Sequence, residues 1–216
     1  MKQIKHLLLL AVIILPFLQS CGNVYDPQSY AIVTIKTSDA KDYYFTLDSG
    51  KTIYPGDKSR MPNFVPKDGV RAIIYFTELT EKVSGYDYNV MLYNIETILT
   101  KDIVCLQDAK YDTLGTDEVE LSYASISGGY LNVEFKIYSA GGIMHSVNLV
   151  DNQLLEWDGE NTLLEFRHQA NGDYKGTLAK GMVCFKLGQY DPAVTSKKIT
   201  LRVNTYSGSK DYVINK

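Results

Sequence analysis

The chain is poor in the residues that build metal and nucleophilic centres. It contains 3 Cys and 3 His among its 216 residues, and beyond residue 21 only His145, His168, Cys105 and Cys184 remain. A metal needs three or four ligands at recognisable spacing, and no cluster of Cys or carboxylates completes such a set. The strand-to-helix Gly-x-Ser-x-Gly elbow of hydrolases is also missing. These absences predict a protein without metal, without cofactor and without enzymatic activity.

His145 and His168 fall on the apolar faces of their predicted strands, which favours hydrogen-bonded histidines at the edges of a core. The Asn171-Gly172-Asp173 segment that follows His168 resembles a catalytic loop only superficially. Asn and Gly tolerate positive φ, so the segment predicts a hairpin turn. Cys105 and Cys184 could form a disulfide in an oxidising compartment or remain free thiols, and their spacing does not decide between the two.

The chain also has little excess positive charge. Its formal net charge is −3, and it becomes two units more negative if Lys2 and Lys5 are removed with an N-terminal leader. A mildly acidic protein outside the cytoplasm is a poor candidate for binding nucleic acid, which requires a basic surface. We therefore expect no nucleic-acid partner.

The first twenty residues predict a lipoprotein signal peptide. Lys2 and Lys5 precede an apolar run over residues 7–17, which is too short to span a bilayer as a helix. Leu18-Gln19-Ser20-Cys21-Gly22 follows and resembles the lipobox of bacterial lipoproteins. The resemblance implies cleavage after Ser20 and lipidation of Cys21, with residues 21–29 as a tether. This lipid is the only membrane contact that the sequence implies, because no later apolar run is long enough to span a bilayer.

The rest of the chain has the period of two that is typical of β-strands, and no long amphipathic helix is predicted. Tyr outnumbers the other aromatics, with 17 Tyr against 7 Phe and 1 Trp, which suits strands. About five short strands, among them 31–37, 43–47, 71–77 and 86–95, predict a small closed barrel over residues 30–104. Cleaner alternation, such as Leu131, Val133 and Phe135, predicts an antiparallel β-sandwich over residues 105–216. Residues 97–117 are polar and loop-like, and we place the domain boundary there.

The chain resembles a known family in the order of its motifs. The lipobox is followed by Tyr86-Asp87-Tyr88, then by residues 98–103 (ILTKDI), 166–173 (FRHQANGD) and 181–187 (GMVCFKL). This arrangement is similar to that of the NigD-like lipoproteins of Bacteroidetes. The resemblance implies an OB-type barrel followed by a β-sandwich, and a role like that proposed for the founding member, immunity to a bacteriocin. It carries over no catalytic residues.

An OB-type barrel often binds ligands through the face of its second and third strands, although fold alone does not establish function. The aromatic residues predicted to contact a ligand are Tyr43, Tyr44, Tyr75, Tyr86 and Tyr88. Exposed, coplanar rings among them would suit stacking against a sugar, whereas buried rings would not.

The sequence leaves three functional hypotheses open. The leading one is a non-enzymatic, lipid-anchored protein of the cell envelope that binds a protein partner, of which an immunity protein is one form. The second is a glycan-binding lipoprotein of a nutrient-capture system, and the third is an uncharacterised hydrolase. In Bacteroidetes, surface export is associated with acidic residues just after the lipidated Cys. Because residues 22–27 carry only one acidic side chain, Asp26, we expect attachment to the outer membrane on its periplasmic side.

We expect Cys21→Ser to leave the fold intact and to move the protein from the membrane fraction to the soluble fraction, because the substitution removes the atom that would carry the lipid. Fractionation and immunoblotting would measure this change. Continued retention of the Cys21→Ser variant in the membrane fraction would contradict the predicted anchor.

Overall fold

The computed structural model describes residues 29–37, 42–61 and 63–215. The predicted signal peptide, Cys21 and residues 22–28 of the tether lie outside these residues. Fourteen strands and only one short α-helix, α1 (Pro192–Thr195), form the described part of the chain, which confirms the all-β fold class. None of the helices described is long and apolar enough to cross a membrane.

Five strands close into a barrel in the order β1-β2-β3-β5-β4. They are β1 (Ser29–Thr37), β2 (Tyr43–Leu47), β3 (Thr52–Asp57), β4 (Arg71–Glu78) and β5 (Tyr88–Thr97). Strands β3 and β5 run parallel, and the other neighbours run antiparallel. Alternate residues point inward, as Val33 and Ile35 do on β1, and they form one buried core. The small barrel predicted from the alternation is therefore confirmed.

The remaining strands form two sheets that pack face to face around a second core. One sheet has the order β14-β13-β11-β10-β7 and the other has the order β6-β12-β9-β8. The strands are β6 (Leu99–Asp102), β7 (Val104–Leu106), β8 (Glu120–Ser127), β9 (Tyr130–Ser139), β10 (Ser146–Asn152), β11 (Thr162–Gln169), β12 (Thr177–Lys186), β13 (Ile199–Thr205) and β14 (Gly208–Ile214). Leu131, Val133 and Phe135 alternate into this core as expected.

Residues 97–117 are not wholly loop-like, and this difference moves the domain boundary. Strand β6 pairs in parallel with β12, and β7 pairs in parallel with β10, so both belong to the sandwich. The barrel ends with β5 at Thr97, earlier than the expected boundary between residues 104 and 105. The two strands have only 4 and 3 residues, too few to show a period of two. Their extended conformation depends on pairing with the longer strands β12 and β10.

The barrel and the sandwich meet at a buried ion pair. The Arg71 side chain is fully buried, and its Nη2 donates to Asp48 Oδ2 at 2.9 Å. Asp48 Oδ2 also accepts the hydroxyl proton of Ser127, a sandwich residue, at 2.6 Å. Burial alone would raise the pKa of Asp48, but these hydrogen bonds and the charge of Arg71 hold that pKa below its ordinary value. Asp48 is therefore a carboxylate that binds both domains.

The ion pair is extended by a chain of hydrogen bonds into the sandwich. Asn132 Nδ2 donates to Ser127 Oγ at 3.0 Å, and the Cys184 thiol donates to Asn132 Oδ1 at 3.0 Å. The Arg71 guanidinium also lies 4.5 Å from the ring centre of Tyr130, within the range of a cation–π contact. We call Arg71, Asp48, Ser127, Asn132 and Tyr130 the interdomain clamp.

We expect Arg71→Ala to lower the free energy of unfolding by about 3–5 kcal/mol, because it leaves the carboxylate of Asp48 without its cation in a mostly buried site. Urea denaturation measures the loss. The matched control is Arg202→Ala, which breaks a half-exposed pair with Asp211 and should cost no more than about 1 kcal/mol. Equal losses in the two variants would contradict a stabilising role for the clamp.

Candidate functional site

A groove of about 490 Å³ opens on the barrel where β1 ends and β2 begins. It carries both aromatic and charged side chains, so it can make apolar and polar contacts with a ligand. Its lining residues are Lys36, Thr37, Asp42, Tyr43, Tyr44, Tyr54, Asp68 and Tyr86. We call it the tyrosine groove.

Two carboxylates fasten loops to the walls of the tyrosine groove. Asp68 Oδ1 accepts the backbone N–H of Thr37 at 3.0 Å, which fixes the loop before β4 to the end of β1. Asp87 Oδ2 accepts the backbone N–H and the hydroxyl of Thr52, at 2.7 and 2.9 Å. This double contact holds the segment before β5 against β3. The sequence predicted that this strand starts at Tyr86. Because Asp87 is held by Thr52, β5 starts instead at Tyr88.

The rings in the groove are inclined towards one another. The ring centre of Tyr86 lies 5.5 Å from that of Tyr44, with an angle of 61° between the planes, and 4.9 Å from that of Tyr54, with an angle of 34°. All three side chains are half-buried. The three rings therefore form inclined faces that can contact a protruding group from more than one side. They do not form the flat, coplanar surface on which a sugar ring stacks.

The five tyrosines predicted from the sequence lie in different places. Tyr44 and Tyr86 face the groove, and Tyr43 contributes to its wall but is only 6 % exposed because it packs against Phe45 and Phe64. Two lie outside it: Tyr75 pairs with Tyr30, and the Tyr88 hydroxyl accepts from Lys51 at 3.0 Å. Sequence reasoning missed Tyr54, whose place in the Thr52-Ile53-Tyr54 alternation was hidden by the Pro55-Gly56 turn signal.

His145 and His168 lie together at one end of the sandwich. His145 Nδ1 is 2.9 Å from His168 Nε2, and His145 Nε2 is 3.2 Å from Asp173 Oδ2. His168 Nδ1 is 3.0 Å from the carbonyl oxygen of Glu118. Both histidines are hydrogen-bonded as expected, and Asn171 and Gly172 have the positive φ of the predicted turn. Burial, with the charge of His145, lowers the pKa of His168, while hydrogen bonds from Ala140 and His145 lower that of Asp173.

This cluster lacks the arrangement of a catalytic triad. The nearby Ser139 hydroxyl donates to Asp173 at 2.9 Å, whereas a nucleophilic serine must be hydrogen-bonded to the imidazole that removes its proton. Ser139 and His145 both contact Asp173, so the Ser139 hydroxyl is not hydrogen-bonded to an imidazole that could act as its general base. Among the residues described, no group of three His, Cys, Asp or Glu side chains is arranged to hold a metal ion.

The two cysteines are free. Cys105 is exposed on β7, whereas Cys184 is buried on β12 and donates to Asn132, so the disulfide alternative is wrong. Cys184 is fully buried beside the clamp, and burial raises the pKa of its thiol. It is therefore a hydrogen-bond donor within the structure and not a reactive nucleophile.

The two domains match two family descriptions in sequence. Residues 32–98 match the NigD-like N-terminal OB domain, and residues 102–216 match the NigD-like C-terminal beta sandwich domain. Both ranges agree with the strand pairing, because the boundary between them falls at β6. No curated protein matches the chain.

Several solved structures share the whole two-domain arrangement. A protein of unknown function (DUF1344) from Bacteroides vulgatus is 27% identical over 87% of this chain and 90% of its own, with a TM-score of 0.76. A protein from Parabacteroides distasonis described as toxin related is 30% identical over 86% and 91%, with a TM-score of 0.69. A NigD-like immunity protein from Bacteroides caccae is 21% identical over 86% of this chain and 90% of its own, with a TM-score of 0.63. At this identity the similarity is one of fold.

Proposed function

The chain belongs to the NigD-like family, and we propose that it is a lipid-anchored, non-enzymatic protein of the cell envelope that binds a protein partner in its tyrosine groove. The observation that carries this proposal is the set of inclined rings of Tyr44, Tyr54 and Tyr86 at the groove. Tyrosine contributes a large, rigid contact area and a polar hydroxyl, and it is enriched at protein-binding surfaces. Inclined faces suit a protruding side chain of a partner.

Immunity is one form that such binding could take. The relative from B. caccae is described as an immunity protein and the relative from P. distasonis as toxin related. An immunity protein that binds its toxin directly needs a rigid binding surface and no chemistry of its own. The interdomain clamp supports this role because it joins the barrel that carries the groove to a second, fully packed domain.

The predicted anchor agrees with the position of the groove. Seven residues, 22–28, separate Cys21 from Ser29, and the eight residue-to-residue steps reach at most about 28 Å when fully extended. Ser29 begins β1, whereas Lys36 and Thr37 of the groove lie at its other end. A strand of this length spans about 30 Å. With the proposed anchor, the groove would lie at the end of β1 opposite the point of attachment, where a partner in the surrounding compartment could reach it.

A glycan ligand is the second candidate. The charged and polar side chains of Lys36, Asp42 and Asp68 beside the tyrosines favour it, because sugar hydroxyls need hydrogen-bond partners. The absence of a coplanar pair of rings among Tyr44, Tyr54 and Tyr86 weighs against it.

A photo-crosslinking amino acid in place of Tyr44 tests the groove in living cells. We expect a discrete protein adduct, and we expect Tyr86→Ala to abolish it because Tyr86 contacts both neighbouring rings. The same crosslinker in place of Tyr123, an exposed residue of the sandwich, is the matched control and should give no adduct. An adduct from Tyr123 but none from Tyr44 would contradict the proposal. Binding of purified envelope polysaccharides without any protein adduct would replace it with the glycan alternative.

Protease treatment of intact cells tests the proposed location. We expect the protein to survive together with a periplasmic control and to be digested only after the outer membrane is permeabilised, because the proposed anchor faces the periplasm. Digestion in intact cells while the control survives would show that the protein faces outward.

A further inference from the structure

The two histidine rings meet edge to edge. Their planes differ by only 11° and their centres are 5.1 Å apart, while the facing nitrogens are 2.9 Å apart. This distance is too short for one ring to lie over the other, since stacked rings are separated by more than about 3.3 Å. The nitrogens therefore approach in the common plane of the rings, which is the geometry of an N–H···N hydrogen bond.

Counting hydrogens shows that this arrangement needs one proton more than two neutral imidazoles supply. The Glu118 carbonyl can only accept, so Nδ1 of His168 carries a hydrogen and its Nε2 is an acceptor. Nδ1 of His145 must then carry the hydrogen that lies between the rings. The carboxylate of Asp173 also accepts, so Nε2 of His145 needs a hydrogen as well. Two ring hydrogens make His145 an imidazolium.

The alternative place for the proton is the carboxyl group of Asp173, but other donors oppose it. The backbone N–H of Ala140 and the hydroxyl of Ser139 both donate to this carboxylate, at 3.0 and 2.9 Å. A carboxylate that accepts several hydrogen bonds is stabilised in its charged form. The proton therefore resides on the histidine pair, beside a charged Asp173.

We propose that His145, His168 and Asp173 bind one proton between them and thereby form a pH-sensitive latch at the end of the sandwich. The latch closes the segment before β10 onto the turn after β11. Asn171 Nδ2 adds a third contact, donating to the carbonyl oxygen of Met144 at 2.7 Å. A neutral His145 has one ring hydrogen and can make only one of its two contacts, so both are made together only while the proton is bound. Its loss therefore breaks one contact and loosens a segment that presents Ile143 and Met144, which are 47% and 83% exposed.

The surroundings of the latch define the direction of its pH dependence. Asp173 faces His145 from the turn after β11, and Asp117 lies near His168 from the segment before β8, where its side chain accepts the N–H of Ala170 at 2.7 Å. Burial of His168 opposes a second proton, so the cluster holds one. In the unfolded chain both histidines are protonated below a pH of roughly 6.5 and neutral above it. The folded cluster holds one proton, so the latch is strongest near that pH, and it opens at higher pH when this proton is lost.

A metal ion between the two nitrogens does not fit this geometry. An ion placed midway on the line between them would lie at about half of 2.9 Å from each nitrogen, whereas metal–imidazole bonds are about 2.0 Å long. A third protein ligand for it is missing from the described residues. A shared proton accounts for the distance and for the coplanar rings.

The decisive variant is Asp173→Asn, which the structure predicts to make the latch independent of the proton. Its amide N–H donates to a neutral Nε2 of His145, and its carbonyl oxygen still accepts from Ala140. Neutral His145 then donates from Nδ1 to His168, so both contacts of His145 are kept without an imidazolium. The Ser139 hydroxyl, which donates to the oxygen that the amide nitrogen replaces, must then rotate to accept a hydrogen bond. Asp211→Asn, in the surface pair with Arg202, is the matched control.

Two NMR readouts on the purified protein test this inference. Ring ¹⁵N signals near pH 7 should show both nitrogens of His145 protonated, and the Met144 methyl signal should shift as that proton is lost. In Asp173→Asn the methyl shift should vanish, while Asp211→Asn should titrate like the unaltered protein. A singly protonated His145 in the unaltered protein near pH 7 would overturn the proposal even if Asp173→Asn failed to fold. So would a wild-type titration in Asp173→Asn, or a change of the signals on adding EDTA.

Discussion

The Arg71–Asp48 ion pair determines how the two halves of the molecule are joined. A buried charge is costly unless hydrogen bonds and an opposite charge replace its water. Arg71 donates two hydrogen bonds to Asp48 and one to the Thr34 hydroxyl, and its guanidinium lies over the face of Tyr130, although its Nε–H finds no acceptor among the described residues. The barrel supplies the charges and the sandwich supplies Ser127 and Tyr130, so neither domain alone can satisfy this site. The contact therefore specifies one orientation of the domains.

The sequence predicted the elements that carry a clear local signal and missed those that do not. Strand β2 lies at residues 43–47 as expected, because alternation and the Asp48-Ser49-Gly50 turn act locally. Strands β6 and β7 were missed because their order comes from pairing with distant strands. The clamp was also hidden, since Asp48 and Ser127 are 79 residues apart and neither is unusual in its local sequence. Contacts between separate elements leave no local pattern.

The same limit applies to the candidate sites. Two of the five proposed tyrosines face the groove, but Tyr54 was overlooked beside a turn signal, and the angles between the rings depend on how the Asp87–Thr52 contact places Tyr86. The sequence placed His168 correctly on its strand, but His145, which was expected on the apolar face of a strand, lies in the segment just before β10. Their mutual contact depends on two loops meeting at one end of the sandwich. Strand β9 runs from the clamp at Tyr130 to these loops at Ser139, so the latch is separated from the clamp by the length of the sandwich.

Gly128 shows what the clamp means for the evolution of this chain. A Cβ atom on Gly128 would lie 2.5 Å from Oδ1 of Asp48, so a residue of one domain is restricted by a side chain of the other. Recombination between relatives at the boundary near residue 98 would separate Asp48 and Arg71 from Ser127, Gly128 and Tyr130. A hybrid gene could therefore encode a well-joined protein only if both parents carry compatible residues on the two sides of this contact. The pair of domains, and not each domain, is the unit that is inherited.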